Sequence, residues 1–413
     1  MNPLSWLPKL AQDIRASYWF IPSVLTVLAI VAAQFSIWFD HDTELMDTLL
    51  PDSASDTQAE GARTTLAVIS QSVIGVTGVM FSMTLVAVSF ASGNFGPRLI
   101  GNFMRDRGNQ WSLGILISTF VYALIILRAV QSPVGEDVDL FVPQLSLIVA
   151  LGLTFVSVGT VIYFVHHVPE TINVANITAA LGKALCADVR ALIDSRRDRA
   201  ETAPVALPDR APDREVRLDR AGYVQTLDHD RIDRLAEEEG WIVEITADPG
   251  QFVSPHTPVA RLWTASAPGD DPLEELRGSF ILGDIQTEAQ NLEFIVAQLV
   301  EMLARALSPG VNDPFTAMSC LDWLYAGTEA AICHRGGLSV PPAGRVHHRQ
   351  LDAAILLDAG LGASRAYVAG DRLATDHFNM LLDRLLDRTG QGDLADRIAG
   401  LRIAAPPKAD APV

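Results

Sequence analysis

The residue types best suited to chemistry crowd into one stretch, RALSPGVNDPFTA at 305–317, which holds Arg305, Ser308, Asn312, Asp313, Pro314 and Thr316. Asp313 before Pro314 has the pattern of a helix start, with a carboxylate at the N-cap and proline in the first turn. Gly310, shortly after Leu307, suits the end of the preceding helix. One reading is a tight corner between two helices. The other is a polar cluster at an oligomer contact or a ligand site, where two helix ends meet an ion or an anionic group. The sequence leaves both open.

A second concentration of polar side chains lies inside an apolar run. Gln71, Gly75, Gly78, Ser82 and Ser89 recur at helical spacing and share one face. Small residues let a neighbouring helix approach closely, and hydroxyls can line a path through an oligomer. Elsewhere the signals for catalysis are weak. His166-His167 and His347-His348 lack the i,i+4 spacing or the cysteine partners of a zinc site. Cys186, Cys320 and Cys333 never form a CxxC pair, which fits a reducing compartment. No nucleophile elbow, HExxH, phosphate-binding loop or dinucleotide fingerprint occurs. Asp313 with Arg305 is the one acid–base candidate, and a helix cap accounts for Asp313 better. The expectation is a protein without enzyme activity, metal or cofactor.

The elements that carry these residues follow from hydropathy. The chain has 413 residues, of which 49% are hydrophobic and 19% charged, and its formal net charge is -18. Mean hydropathy is +0.23. Such a chain is too apolar to be disordered and too acidic to seek nucleic acid. Four runs, 18–39, 65–91, 111–130 and 145–168, lack Asp, Glu and Lys. Each is long enough, at 1.5 Å per residue, to cross roughly 30 Å of hydrocarbon. Tyr18, Trp19 and Trp38 flank the first run as interfacial aromatics do.

Charge alternates between the loops. Asp40, Asp42, Glu44, Asp47, Asp52, Asp56 and Glu60 follow the first run, and Glu136, Asp137 and Asp139 follow the third. Lys9 and Arg15 precede the first run, Arg98, Arg105 and Arg107 follow the second, and Lys183, Arg190, Arg196, Arg197 and Arg199 follow the fourth. The positive-inside rule then puts both termini of a multi-pass membrane chain on the cytoplasmic side. Arg98, Arg105 and Arg107 act as topology anchors or bind lipid phosphate.

Beyond the runs, 169–215 reads as an amphipathic helix plus a mobile Pro/Asp/Arg-rich linker, 216–266 as a small β-rich domain, 274–403 as a helical domain and 404–413 as a disordered tail. The pattern of glycines, prolines and short strands in 216–266 resembles half of a barrel-sandwich hybrid, as in biotinyl and lipoyl carriers. The segment has no lysine to carry such a group.

Several stretches together are similar to one family over nearly the whole chain. They are SYWFIPS (17–23), GVMFSMTLVAVSFASGNFGPR (78–98), NFMRDRGNQ (102–110), TFVYALIILR (119–128), FVPQLS (141–146), GYVQTLD (222–228), PGQFV (249–253) and the corner at 305–317. The chain resembles the predicted bacterial membrane proteins called DUF2254. Where the family carries an Arg-Thr…Gln-Asp pattern, this chain has Gln286-Thr287…Gln290-Asn291. The resemblance implies a membrane protein and supplies no mechanism. The functional expectation is a homo-oligomeric channel or transporter for small ions or solutes in a lipid bilayer. The alternative is a membrane-tethered scaffold or sensor whose cytoplasmic part binds a partner.

Overall fold

A computed structural model describes residues 17–41, 59–95, 106–130, 142–198, 205–334, 338 and 344–404. The chain divides into two compact units, Met1–Asn173 and Val174–Val413.

Among the described residues the first unit contains four helices, α1 (Phe20–Asp40), α2 (Ala59–Phe95), α3 (Arg107–Ala129) and α4 (Gln144–Thr171), each long and apolar enough to cross a membrane. Helices satisfy every backbone polar group internally, which hydrocarbon demands. α2 extends past the expected 65–91 at both ends, and α4 continues through Pro169 to Thr171. Hydroxyls inside the helices bond their own backbone: Thr77 Oγ1 donates to Val73 O at 2.6 Å and Thr154 Oγ1 to Ala150 O at 2.8 Å. Polarity is inverted relative to a water-soluble bundle, with Phe35, Trp38, Val86, Phe155 and Ile162 facing outward.

α3 packs against α1, α2 and α4. Its approach to α1 depends on Gly114, where an added Cβ would lie 2.6 Å from Leu25 Cδ1 and 3.2 Å from Pro22 Cα. Gly152 on α4 has nothing within 4 Å of such a Cβ. Gly114→Leu is therefore expected to lose about 1–3 kcal/mol of stability, while Gly152→Leu melts like the parent. Thermal unfolding of both variants in detergent checks this; equal melting temperatures would refute the close approach.

Polar latches close both ends of this unit. Asp40, at the end of α1, accepts from Leu145 N (2.9 Å), Ser146 N (3.1 Å) and Ser146 Oγ (2.5 Å), and so caps α4 across more than a hundred residues. Tyr122 Oη donates to Ser36 Oγ at 3.0 Å beside it. At the other end Asp106 caps α3 through Gly108 N at 3.0 Å and pairs with His167 Nε2 at 2.7 Å. Tyr163 stacks on His167 at 4.9 Å. Gly108 leaves room for this contact, since a Cβ there would lie 2.4 Å from His167 Nε2.

The second unit begins with α5 (Val174–Asp198), followed by β1 (Arg214–Arg217), β2 (Gly222–Leu227), α6 (His229–Glu238), β3 (Ile242–Ile245), β4 (Phe252–Val253), β5 (Pro258–Trp263), α7 (Asp270–Arg277) and β6 (Phe280–Gly283). Then come α8 (Leu292–Ala306), α9 (Pro314–His334), β7 (Val346–His347), α10 (Ala353–Leu357), a π turn (Asp358–Gly362), α11 (Ala363–Val368), α12 (Arg372–Thr389) and α13 (Asp393–Gly400).

The strands form two sheets, ordered β1-β5-β3-β7 and β4-β2-β6. All pairs are antiparallel except β3 with β7. A core of Ile232, Trp241, Val243, Leu262, Leu276 and Val346 fills the β region. The sheets reach beyond the 216–266 segment, because β6 and β7 join them from within the 274–403 stretch expected to be helical. The short β7 and its pairing partner lie about a hundred residues apart, so no local pattern signals the strand.

The expected mobile linker also differs, since it is tied to the β region. Val205 N donates to Gly344 O at 2.7 Å, Trp263 Nε1 to Arg210 O at 2.9 Å and Thr264 N to Asp213 Oδ2 at 2.8 Å.

α5 packs on α8 and α9. The α5–α9 crossing is tight at two glycines: a Cβ on Gly182 would lie 2.0 Å from Trp323 Cδ2, and one on Gly327 would lie 2.8 Å from Leu185 Cδ2. The tail expected at 404–413 lies outside the described residues from 405 onward.

Candidate functional site

Two cavities and the helix corner bear on function. The corner at 305–317 consumes its own polar groups. Ser308 Oγ donates to Arg305 O at 2.6 Å at the end of α8. Asp313 Oδ1 accepts from Thr316 N at 3.1 Å, and Oδ2 accepts from Thr316 Oγ1 at 2.6 Å. Asp313 N donates to Ala306 O at 2.7 Å, and Asn312 turns the chain with a φ of 50°, a conformation asparagine tolerates. Arg305 reaches Glu301 at 3.4 Å. Arg305, Ser308, Asn312, Asp313, Pro314 and Thr316 thus come together as a capped helix junction.

On α2, Gln71, Gly75, Gly78, Ser82 and Ser89 do share one face, and all five are exposed. The side of α2 that packs within the unit is the opposite one, through Leu66, Val73, Thr77, Met80, Thr84 and Ala87. Added Cβ atoms at Gly75 and Gly78 meet nothing within 4 Å, so these glycines make no close contact inside the chain. Ser82 Oγ donates to Gly78 O at 2.9 Å. Gly75, Gly78 and Ser82 also line an apolar groove of about 870 Å³ between α2 and α4, where Phe164, Val168 and Pro169 form the opposite wall. Of the basic anchors, Arg107 begins α3 and is exposed. Arg98 and Arg105 lie outside the described residues.

The second cavity, of about 700 Å³, lies wholly in the second unit. α5 contributes Asp188, the β2–α6 turn His229, the β3–β4 turn Asp248, the segment before α8 Glu288, Gln290 and Asn291, and the stretch after β7 His348 and Arg349. The local backbone explains the assembly. Gln290, at φ 54°, turns its amide back onto β2: Oε1 accepts from Leu227 N at 2.9 Å and Nε2 donates to Leu227 O at 3.2 Å. Gln286 Nε2 donates to Gly250 O at 2.7 Å. Asn291 Oδ1 caps α8 by accepting from Phe294 N at 3.1 Å, and its Nδ2 lies where a Cβ on Gly250 would approach to 2.2 Å. Gly250, at φ 93°, is thus required twice. Gln286 thus tethers this segment to the β3–β4 turn, and Asn291 caps α8.

Glu293 holds the Arg349 guanidinium at 2.8 and 3.3 Å. The His229 and His348 rings meet edge-to-face at 5.6 Å. Burial pushes the carboxyls of Asp188 and Asp248 above the usual range; for Asp248 the nearby Arg349 and His348 pull it back and Glu293 adds to the rise. The cleft residues come from five separate segments, and the uncommon turn at Gln290 was the one local signal that could have marked them. Among the described residues no three acidic, histidine or cysteine side chains converge to hold a metal ion. Burial pushes the Cys320 thiol up to about 12 and raises that of Cys186, where Arg190 pulls in the opposite direction.

The sequence model of a family described as predicted membrane protein (DUF2254) matches residues 15–384. The chain belongs to the DUF2254 family. Its match to an uncharacterized protein of Mycobacterium bovis is 31% identical over 281 residues, 66% of this chain and 53% of that relative. An uncharacterized protein of Mycobacterium tuberculosis matches with the same identity and coverage. This DUF2254 chain therefore spans about half the length of the curated relatives it matches. No solved structure matches it. A DUF2254 membrane protein with four apolar helices is thereby shown, in contact with a lipid bilayer, and followed by a unit of helices and small sheets.

Proposed function

We propose that the chain works as a homo-oligomer in the bacterial cytoplasmic membrane and passes small ions or solutes along the polar face of α2. The observation that carries this reading is the exposure of Gln71, Gly75, Gly78, Ser82 and Ser89 on the side of α2 opposite its packed face. An amide left facing hydrocarbon costs several kcal/mol. A neighbouring copy removes that cost for Gln71, and the two glycines admit its backbone. The alternation of basic and acidic loops supports both termini, and the second unit, on the cytoplasmic side. There the two sheets serve as a barrel-sandwich-like support with no carrier lysine. The reading includes no catalytic step.

Ser82→Leu and Ser89→Leu are expected to reduce ion flux into proteoliposomes at least about tenfold while leaving the protein folded, because each fills a hydroxyl-lined path with a branched apolar chain. Unchanged flux in both variants would remove α2 from the path.

One observation favours the second reading, a tethered scaffold or sensor. The β4-β2-β6 sheet exposes Phe252 and Ile281, Ile285 is exposed just beyond β6, and Tyr223 is edge-on to Phe252 at 5.2 Å. A partner protein would cover such a face. Recovery of one defined partner by the full-length protein, lost on Phe252→Asp, would support it; recovery unaffected by that change would count against this face.

A further inference from the structure

We propose that the corner between α8 and α9 is a second membrane contact of this chain, with Val311 and Phe315 inserted into the interfacial layer of the bilayer that α4 crosses. Phe315 is 71% exposed, more than any other large apolar side chain of the second unit among the described residues, and Val311 is 48% exposed. Pro309 and Gly310 beside them are exposed as well. The hydrogen bonds of the corner turn inward. Val311 N and Asn312 N donate to Ser308 O at 3.1 and 2.9 Å, and Asp313 N donates to Ala306 O at 2.7 Å. Ser308 Oγ and the Asp313 carboxylate are also bonded within the turn. A tip whose amides are already satisfied loses little on leaving water, and its apolar side chains gain by it. Side chains of this type sit about 5–10 Å into the headgroup and acyl boundary.

The helices beside the tip bring it to lipid rather than to another protein. α5 starts at Val174, two residues after α4 ends at Thr171, and a link that short reaches at most about 11 Å. The first turn of α5 therefore stays beside the bilayer surface. α9 runs next to α5 in the same direction. Cys320 is hydrogen-bonded to Thr178, a Cβ on Gly182 would meet Trp323, and one on Gly327 would meet Leu185. Pro314 lies six residues before Cys320, and Val174 lies four before Thr178. These steps are about 9 and 6 Å along the two axes, so the corner is level with the start of α5. It is set about 8–10 Å to the side, the spacing of packed helices. The inference rests on α4 crossing the membrane and not on passage along α2, so loss of the flux reading leaves it standing.

Spin labels on single cysteines of the full-length protein, reconstituted into phospholipid bilayers, test this. Cys320 is fully buried and stays, and Cys186→Ser is carried throughout. Val311→Cys and Phe315→Cys are each labelled in a Cys333→Ser background. Native Cys333, exposed and about 27 Å further along α9, is the reference in water. Power saturation compares collisions with oxygen, which concentrates in lipid, and with a water-soluble nickel chelate. At positions 311 and 315 oxygen is expected to exceed nickel, and at 333 the order is expected to invert. Both side chains point outward, so both variants should melt like the parent, and each position tests the contact separately. Nickel exceeding oxygen at both positions would place the tip in water and overturn the proposal. Low collision with both reagents would mean that protein, a second copy or another chain, covers the tip, and would overturn it equally.

Discussion

Trp241→Ala will cost the second unit about 3–5 kcal/mol of stability, enough to unfold much of a marginally stable domain. Trp241 is 2% exposed and is the largest fully buried side chain. It enters the β core at the start of β3, just after Gly240 turns the chain at φ 66°. Alanine leaves a cavity among Ile232, Val243, Leu262 and Leu276 that rigid sheet neighbours cannot close. Trp241→Phe retains most of the volume and should lose only about a third as much. Chemical denaturation followed by near-ultraviolet circular dichroism measures both. An alanine variant with the parent's midpoint would show that this residue does not organise the core.

Asp40→Ala has the second large effect, in the first unit. Its carboxylate satisfies Leu145 N, Ser146 N and Ser146 Oγ at the first turn of α4. Alanine strips all three donors of their acceptor and removes a negative charge from a helix N-terminus, for a loss of about 2–4 kcal/mol. Asp40→Asn keeps one acceptor oxygen and should fall between parent and alanine. Thermal unfolding in detergent checks the order, and an alanine variant as stable as the parent would mean that α4 is capped by other groups.

Asp40 also shows where reading the sequence stops. The four long helices are legible because uninterrupted apolar runs have few other solutions, and the α2 face is legible because helical periodicity is local. Asp40, by contrast, is one of seven acids after the first run, and its charge counts toward topology whichever atom it touches. Its role appears only when Leu145 and Ser146 are brought to it from more than a hundred residues away. The Asp106–His167 latch is hidden for the same reason: His167 alone offers no partner in sequence. The corner at 305–317 was legible in its caps, since Asp313-Pro314 and Ser308 act on neighbours within three residues. The cleft was not, because each of its segments carries one or two unremarkable polar residues and only the tertiary fold sums their charge.

The pairing of β7 with β3 has a consequence for synthesis. Val243 and Glu244 find their partners Val346 and His347 only after the whole of α8 and α9 has been made. At about 5–20 residues per second, β3 waits on the order of 5–20 s on the ribosome with one edge unpaired. During that interval an edge of bare amides and carbonyls faces other nascent chains. The antiparallel partner β5, reached through a connection that carries β4, is made long before β7 and holds β3 in register. Assembly of the unit is therefore ordered in time, with the β3–β5 pair first and a late two-residue clasp that seals the sheet.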